Sequence, residues 1–247
     1  MLLAVDIGNS STKFGVYKNG DLTLKFFIPT KRNSTPSEFA EHIGGRLNAP
    51  IDAAIVTSVV PELDSAVSGY VSHFLHIEPT FVRTDDDFGL TFKFPTDKAG
   101  TDRLVNSFAA VEKYGVPCIV VSFGTATTID VVNADREHLG GLIAPGMPAT
   151  LKALALVASK LPEVELRKPD NIIANTTETA IQSGVIYGHI AMVEGLLRRI
   201  VRELDSKPKV IATGGFVDLI APETDLIDTV DNDLTLDGLR MLYTKRV

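Results

Sequence analysis

Two stretches 116 positions apart carry residue types suited to holding phosphate. AVDIGNSSTKFGV (residues 4–16) and VVSFGTATTIDVV (residues 120–132) align without gaps, so that Val5 meets Val121, Gly8 meets Gly124, Thr12 meets Thr128 and Val16 meets Val132. Each reads as an apolar strand, a turn of Gly and small hydroxyl residues, and a second apolar strand. Glycine lets a backbone approach a ligand closely. Successive N–H groups in a tight turn form an anion-binding nest, and Ser and Thr hydroxyls add donors. Asp6, at the root of the first turn, suits a Mg²⁺ ion that keeps most of its waters and touches phosphates. Lys13 could lie near the same phosphates as a point charge. In the second copy Ser122 stands opposite Asp6. Two such hairpins facing each other could hold a polyphosphate from both sides. A single hairpin of this kind is as often a plain structural turn; the repetition, with VIATGG at 210–215, favours phosphate binding.

Composition narrows the rest. The chain has 247 residues, 45% apolar, with a formal net charge of -7. It can bury a core, and its charge disfavours nucleic acid, whose binding rests on cations that neutralise phosphates. No apolar run reaches the ~18 residues of a membrane span, and MLLAVDIG reads as a first strand, so a cytoplasmic protein is expected. The lone Cys118 reads as core filler. The five histidines, His42, His73, His76, His138 and His189, show no metal-ligand spacing, and packing is the simpler role for each. Neither a P-loop nor a strand-linked G-x-G-x-x-G occurs.

The surrounding pattern supplies the elements that must hold these turns. Strands are expected at 2–6, 12–17 and 21–28, with Lys18-Asn19-Gly20 as a hairpin turn. Thr35-Pro36-Ser37-Glu38 is a capping box opening a helix with Phe39, Ile43 and Leu47 on one face. A buried strand at 51–56 precedes a helix from Pro61, with Leu63, Val67, Tyr70 and Phe74 on one side. Another helix starts near Asp102 and ends at Gly115. GGLIAPGM (140–147) reads as a Gly-rich connection into a helix at about 148–160. A cap at 175–178 opens helical pattern to about Leu204, where Gly184, Gly188 and Gly195 predict a kink or break. Strand VIATGG and a terminal helix at 234–243 follow. Strands then helices, twice, describe a duplicated α/β fold with domains 1–115 and 116–247, the terminal helix free to pack back across.

The motifs DIGNSSTKFG, GTDRLVNSFAA (100–110), FGTATTID (123–130), GGLIAPG (140–146), NTTETAIQSGVIYG (175–188) and VIATGG occur in the order that marks type III pantothenate kinases. From Leu3 to its C-terminus the chain resembles that family. The resemblance implies an α/β fold of duplicated actin/hexokinase-like (ribonuclease H-like) domains. It also implies ATP-dependent phosphorylation of pantothenate, the first step toward coenzyme A, by a homodimer. It places the general base at Asp102, with Gly100, Thr101, Arg103 and Thr176 around pantothenate. It assigns Asp6, Ile7, Gly8, Asn9, Ser10, Ser11, Thr12, Lys13 and Thr125 to ATP, with Asp6 near Mg²⁺. The residues agree chemically: a hydroxyl is a weak nucleophile, and a carboxylate at a helix start can take its proton as the bond to phosphorus forms.

Two positions depart from the family pattern. Ser122 replaces an Asp that helps hold a monovalent cation, K⁺ or NH4⁺, and brings no charge. Phe94, allowing a one-residue gap, stands where a substrate-lining Tyr is usual. These departures leave two other readings open: a degenerate homologue that binds nucleotide or pantothenate without turnover, acting as a regulator, and a related kinase for another small hydroxyl substrate.

Overall fold

A computed structural model describes residues 1–47 and 49–246. In chain order the elements are β1 (Leu2–Ile7), β2 (Ser11–Lys18), β3 (Asp21–Pro29), α1 (Pro36–Ile43), β4 (Ala53–Ser58), α2 (Pro61–Phe74), β5 (Pro79–Phe81), β6 (Thr91–Phe92) and α3 (Thr101–Tyr114). There follow β7 (Cys118–Phe123), β8 (Ala126–Val132), β9 (Glu137–Pro145), α4 (Met147–Val157), α5 (Thr177–Glu203), β10 (Lys209–Thr213), α6 (Val217–Ile220), β11 (Thr229–Val230) and α7 (Leu234–Arg246).

Two sheets result, and their strand orders repeat. The first runs β3-β2-β1-β4-β5; the second runs β11-β10-β7-β8-β9, with β6 added beyond β9. In each, an antiparallel meander of three strands is continued from its first strand by two parallel strands. The duplication seen in the two hairpins is thus a duplication of whole sheets.

The chain gathers into two compact units that do not follow a cut near residue 115. The first comprises residues 1–90, 95–109 and 233–247, and the second residues 91–94 and 110–232. Two local pairings explain the difference. Thr91 and Phe92 add to the edge of β9 opposite Glu137 and His138. Helix α7 packs within the first unit: a methyl on Gly238 would lie 2.7 Å from Val105 and 2.9 Å from Ala109, so glycine lets the two helices meet.

In the first unit Leu3, Val5 and Ile7 alternate onto one face of β1 and meet Phe39 and Ile43 of α1 and Leu63 and Val67 of α2. The α1 capping box is formed as expected, Thr35 and Glu38 each bonding the other's backbone N–H. Leu47 lies beyond the end of α1, which stops at Gly44 with φ 55°. Asn19 and Gly20 turn β2 into β3 with φ 54° and 94°. His76 sits past the end of α2 with φ 59°, not in the helix with His73. In the second unit Ile119, Val121 and Phe123 of β7 pack with Ile181, Val185, Ile186, Ile190, Val193 and Leu197 of α5.

Two expectations are corrected. GGLIAPG is not a connection but most of strand β9, paired along its length with β8. Its glycines serve close approach: a Cβ on Gly141 would lie 1.9 Å from the Ile129 carbonyl oxygen. Helix α5 runs 27 residues without a break. Gly184, Gly188 and Gly195 face open space, so they cost conformational entropy only, and the buried apolar stripe outweighs it.

Candidate active site

The first hairpin joins β1 to β2. Gly8 N–H donates to the Ser11 carbonyl at 3.1 Å, and a Cβ on Gly8 would stand 3.1 Å from that same oxygen. Ile7 is buried beneath the turn, while Asn9 and Ser10 are exposed at its tip. A residue the sequence reading missed braces it. Thr30 Oγ1 donates to the Gly8 carbonyl at 2.7 Å, Thr30 N–H donates to the Ser10 carbonyl at 3.1 Å, and its hydroxyl lies 3.2 Å from that of Thr12. Arg32 adds a bond to Asn9 Oδ1 at 3.0 Å. Single polar residues scattered after a strand leave no pattern in a sequence.

Asp6 and Lys13 are register partners across β1 and β2, with Nζ 3.6 Å from Oδ2. Burial pushes the Asp6 carboxyl above its ordinary range, opposed by the Lys13 charge and hydrogen bond. A buried carboxylate held by one lysine is electrostatically unfinished. A hydrated divalent ion needs only one such protein ligand. Among the described residues no group of three His, Cys, Asp or Glu could cage a metal. Asp6 suits a divalent ion that keeps most of its waters.

In the same unit, Gly100 opens α3, its carbonyl accepting from Arg103 N–H at 3.0 Å. The Asp102 carboxylate folds back over it, since a Cβ on Gly100 would lie 2.5 Å from Oδ1. Asp102 is half-buried, so it is both held and reachable. Any side chain at position 100 would displace that carboxylate.

The second unit presents the other hairpin, which is one residue tighter. Gly124 N–H donates to Ala126 O at 3.0 Å, and Phe123 pairs with Thr127 rather than with Thr128. Ser122 consequently faces Thr128 on β8 and Thr213 on β10. The first hairpin sets an acid against a base; the second sets hydroxyls against one another. Two glycines clamp this turn. Gly146 N–H donates to Thr125 O at 3.1 Å, and Gly214, at φ 103°, would carry a Cβ 2.4 Å from the Phe123 carbonyl. Thr125 is exposed at the tip. Below it, buried Thr127 shares a 2.8 Å hydrogen bond with His189 Nε2 of α5, and burial lowers the pKa of that imidazole. His189 is thus tied to the turn, a role beyond packing that its lone position in a helix could not signal.

Phe94 also lies in the second unit, edge-on to His138 with centroids 5.1 Å apart. His138 is fully buried; its Nδ1 accepts from Gly140 N–H at 3.1 Å, so its proton sits on Nε2, 3.5 Å from Asp130. Thr176 is the N-cap of α5: its Oγ1 accepts from Thr179 N–H at 3.1 Å and lies 2.8 Å from Thr179 Oγ1. The structure therefore places residues 6–13 and 100–103 in the first unit, and Phe94, Ser122, Thr125 and Thr176 in the second.

Two sheets of this strand order, each with a Gly and hydroxyl hairpin, define a duplicated actin/hexokinase-like α/β fold. Solved structures agree on the fold. A protein described as a Baf family transcriptional activator from Campylobacter jejuni superposes with TM-score 0.62 at 21% identity, covering 99% of this chain and 98% of its own. An inorganic polyphosphate/ATP-glucomannokinase from Arthrobacter sp. strain KM gives 0.50 at 15% identity, covering 100% and 99%. The family model for type III pantothenate kinase matches residues 2–199. A type III pantothenate kinase of Halalkalibacterium halodurans is 38% identical over the whole of both chains. That of Geobacillus sp. strain WCH70 is 41% identical over 100% of this chain and 98% of its own. The chain belongs to the type III pantothenate kinase family.

Proposed function

We propose that this chain transfers the γ-phosphoryl group of ATP to the primary hydroxyl of pantothenate, giving 4'-phosphopantothenate and opening coenzyme A synthesis. The observation that carries the reading is full-length membership of the family with Asp102 retained in a turn built around it, its carboxylate seated on Gly100. Asp102 takes the hydroxyl proton as the bond to phosphorus forms, and Arg103, with Gly100 and Thr101, positions pantothenate beside it. The hairpin of residues 6–13 and Thr125 bind ATP phosphates through backbone N–H groups and hydroxyls. Asp6 and Lys13 set one negative and one positive charge at the root of that hairpin. Mg²⁺, held by Asp6 through its waters and by the phosphates, would offset charge on the transferred group. Phe94 supplies an apolar wall without the hydroxyl of a Tyr. Thr176, exposed at the start of α5, completes a pantothenate pocket in a homodimer.

The second unit supports such a dimer by exposing Leu156, Val157, Ile172 and Ile173 at 75%, 81%, 65% and 88%. Sedimentation at micromolar concentration tests it. A cytoplasmic setting accords with the use of ATP as phosphoryl donor. Among the described residues no helix is long and apolar enough to cross a membrane. The net charge of -7 supports the exclusion of nucleic acid. Hydroxyls around Ser122, in place of a carboxylate, support turnover without a monovalent cation. The test is ATP-dependent phosphorylation of pantothenate with and without K⁺, beside Asp102→Asn. The wild type turns over in both conditions and the variant falls by about 10²- to 10⁴-fold. A variant at the wild-type rate would remove the base assignment.

A further inference from the structure

Thr57 is a polar residue in an apolar strand. It is fully buried among Ala54, Ile55 and Val56 of β4. A hydroxyl in such a place is costly unless it is bonded. Here it donates to Thr101 Oγ1 at 2.7 Å, and Thr101 in turn donates to the Ser58 carbonyl at 3.2 Å. This two-step relay fastens the first residue of α3 to the end of β4. The next residue of α3 is Asp102. On its other side Thr57 is the register partner of Asp6 on β1. Val59, just beyond the relay, stands 3.5 Å from where a Cβ of Gly100 would be. Both carboxylates given roles in the reaction are thus referred to one buried residue, Asp102 through its side chain and Asp6 through strand register, within one compact unit.

We infer that Thr57 is a positioning residue for phosphoryl transfer: its hydroxyl, through Thr101, sets the place of the Asp102 carboxylate relative to the strand that carries Asp6. The inference rests on Asp102 as the base. Replacement by Val tests the hydroxyl at nearly constant shape. A methyl cannot stay 2.7 Å from Thr101 Oγ1; ordinary contact begins near 3.4 Å, so the start of α3 retreats by about 0.7 Å. Misplacement by about 1 Å can cost about 10²-fold in rate. Thr57→Val should therefore lower kcat by about 10- to 100-fold while leaving KM for ATP within about twofold.

The experiment measures kcat and KM for both substrates in Thr57→Val, Thr57→Ser, Thr101→Ala and Asp102→Asn, with a thermal melt of each. A fall in kcat with Thr57→Val, restored to at least half by Thr57→Ser, supports the inference. Packing of the γ-methyl alone predicts the reverse ranking, and that result overturns it. Wild-type kcat in Thr57→Val also overturns it. Should Thr57→Val fail to fold, Thr101→Ala breaks the same relay at a half-exposed residue that also lies beside pantothenate: a fall in kcat with KM for pantothenate within about twofold supports the inference, and an unchanged kcat or a loss carried by that KM overturns it. Asp102→Asn inactive beside an unaffected Thr57→Val sinks this inference alone. Asp102→Asn at the wild-type rate sinks the base assignment and this inference with it.

Discussion

Replacing Gly146 by Ala should damage ATP use without altering any side chain assigned to the chemistry. Gly146 has ordinary extended dihedrals, φ -73° and ψ 168°, so alanine is allowed there by its backbone. The obstacle is space. A Cβ would lie 2.3 Å from the Gly124 carbonyl oxygen and 2.6 Å from that of Thr125. Both atoms are backbone, so neither can swing aside as a side chain would. Ordinary contact begins near 3.4 Å, and the turn or the start of α4 must yield by about 1.1 Å. The 3.1 Å bond from Gly146 N–H to Thr125 O lies in the path of that shift. If this turn holds phosphates, kcat/KM for ATP should fall by about 10²-fold. Overpacking should cost about 1–3 kcal/mol, a drop in Tm of several degrees for a chain of this size. Initial rates at varied ATP, with a melt of the same sample, read both quantities. Gly195→Ala is the matched control: nothing lies within 4 Å of its added methyl, so it should stabilise by about 0.5–1 kcal/mol and leave the rate alone. Folded Gly146→Ala with kcat/KM for ATP within threefold of wild type would refute the phosphate role of the second hairpin.

Other expectations concern titration and charge. Burial lowers the pKa of His189, so between that lowered value and about 6.5 the unfolded chain binds the extra proton and stability falls as pH drops. His189→Gln should flatten this part of the profile; denaturant midpoints at pH 7.5 and 5.5 measure it, and an unchanged slope would dismiss the assignment. Burial pushes the Cys118 thiol up to about 12, so a thiol reagent at pH 8 should label the protein only after denaturation. Ser122→Asp should make turnover respond to K⁺ where the wild type does not, as a carboxylate joins the hydroxyls of Thr128 and Thr213. A wild type that already depends steeply on K⁺ would contradict that reading.

Much of the scaffold was legible because its signals are local. Asn19-Gly20 must turn, Thr35 and Glu38 must cap, and Gly beside hydroxyl residues must approach something closely. Glycine is ambiguous elsewhere for the same reason. At Gly141 it admits a neighbouring strand, at Gly140 it takes a φ of 116°, in α5 it does nothing but lose entropy, and only the fold separates these uses. The motif residues of the candidate site were readable, since Gly8, Asp102 and Gly124 sit in dense runs. Their supports were not. Thr30, Thr57 and His189 reach the site from 18 to 62 positions away, each as one polar residue in an unremarkable context. The tighter second turn was also hidden. An ungapped alignment equates Asp6 with Ser122 correctly but cannot show that their cross-strand partners, Lys13 and Thr128, are not equivalent.

The return of α7 to the first unit bears on how the chain is made. Thr235 bonds Asn106 at 2.7 Å, Tyr17 bonds Asp237 at 2.8 Å, and Gly238 seats the helix on α3. None of these contacts can form until residue 238 has left the ribosome. By then all of residues 110–232 have been synthesised and are free to fold. The half that begins first is therefore completed last. At about 5–20 residues per second, it waits on the order of ten seconds with the α7-covered face of its sheet exposed.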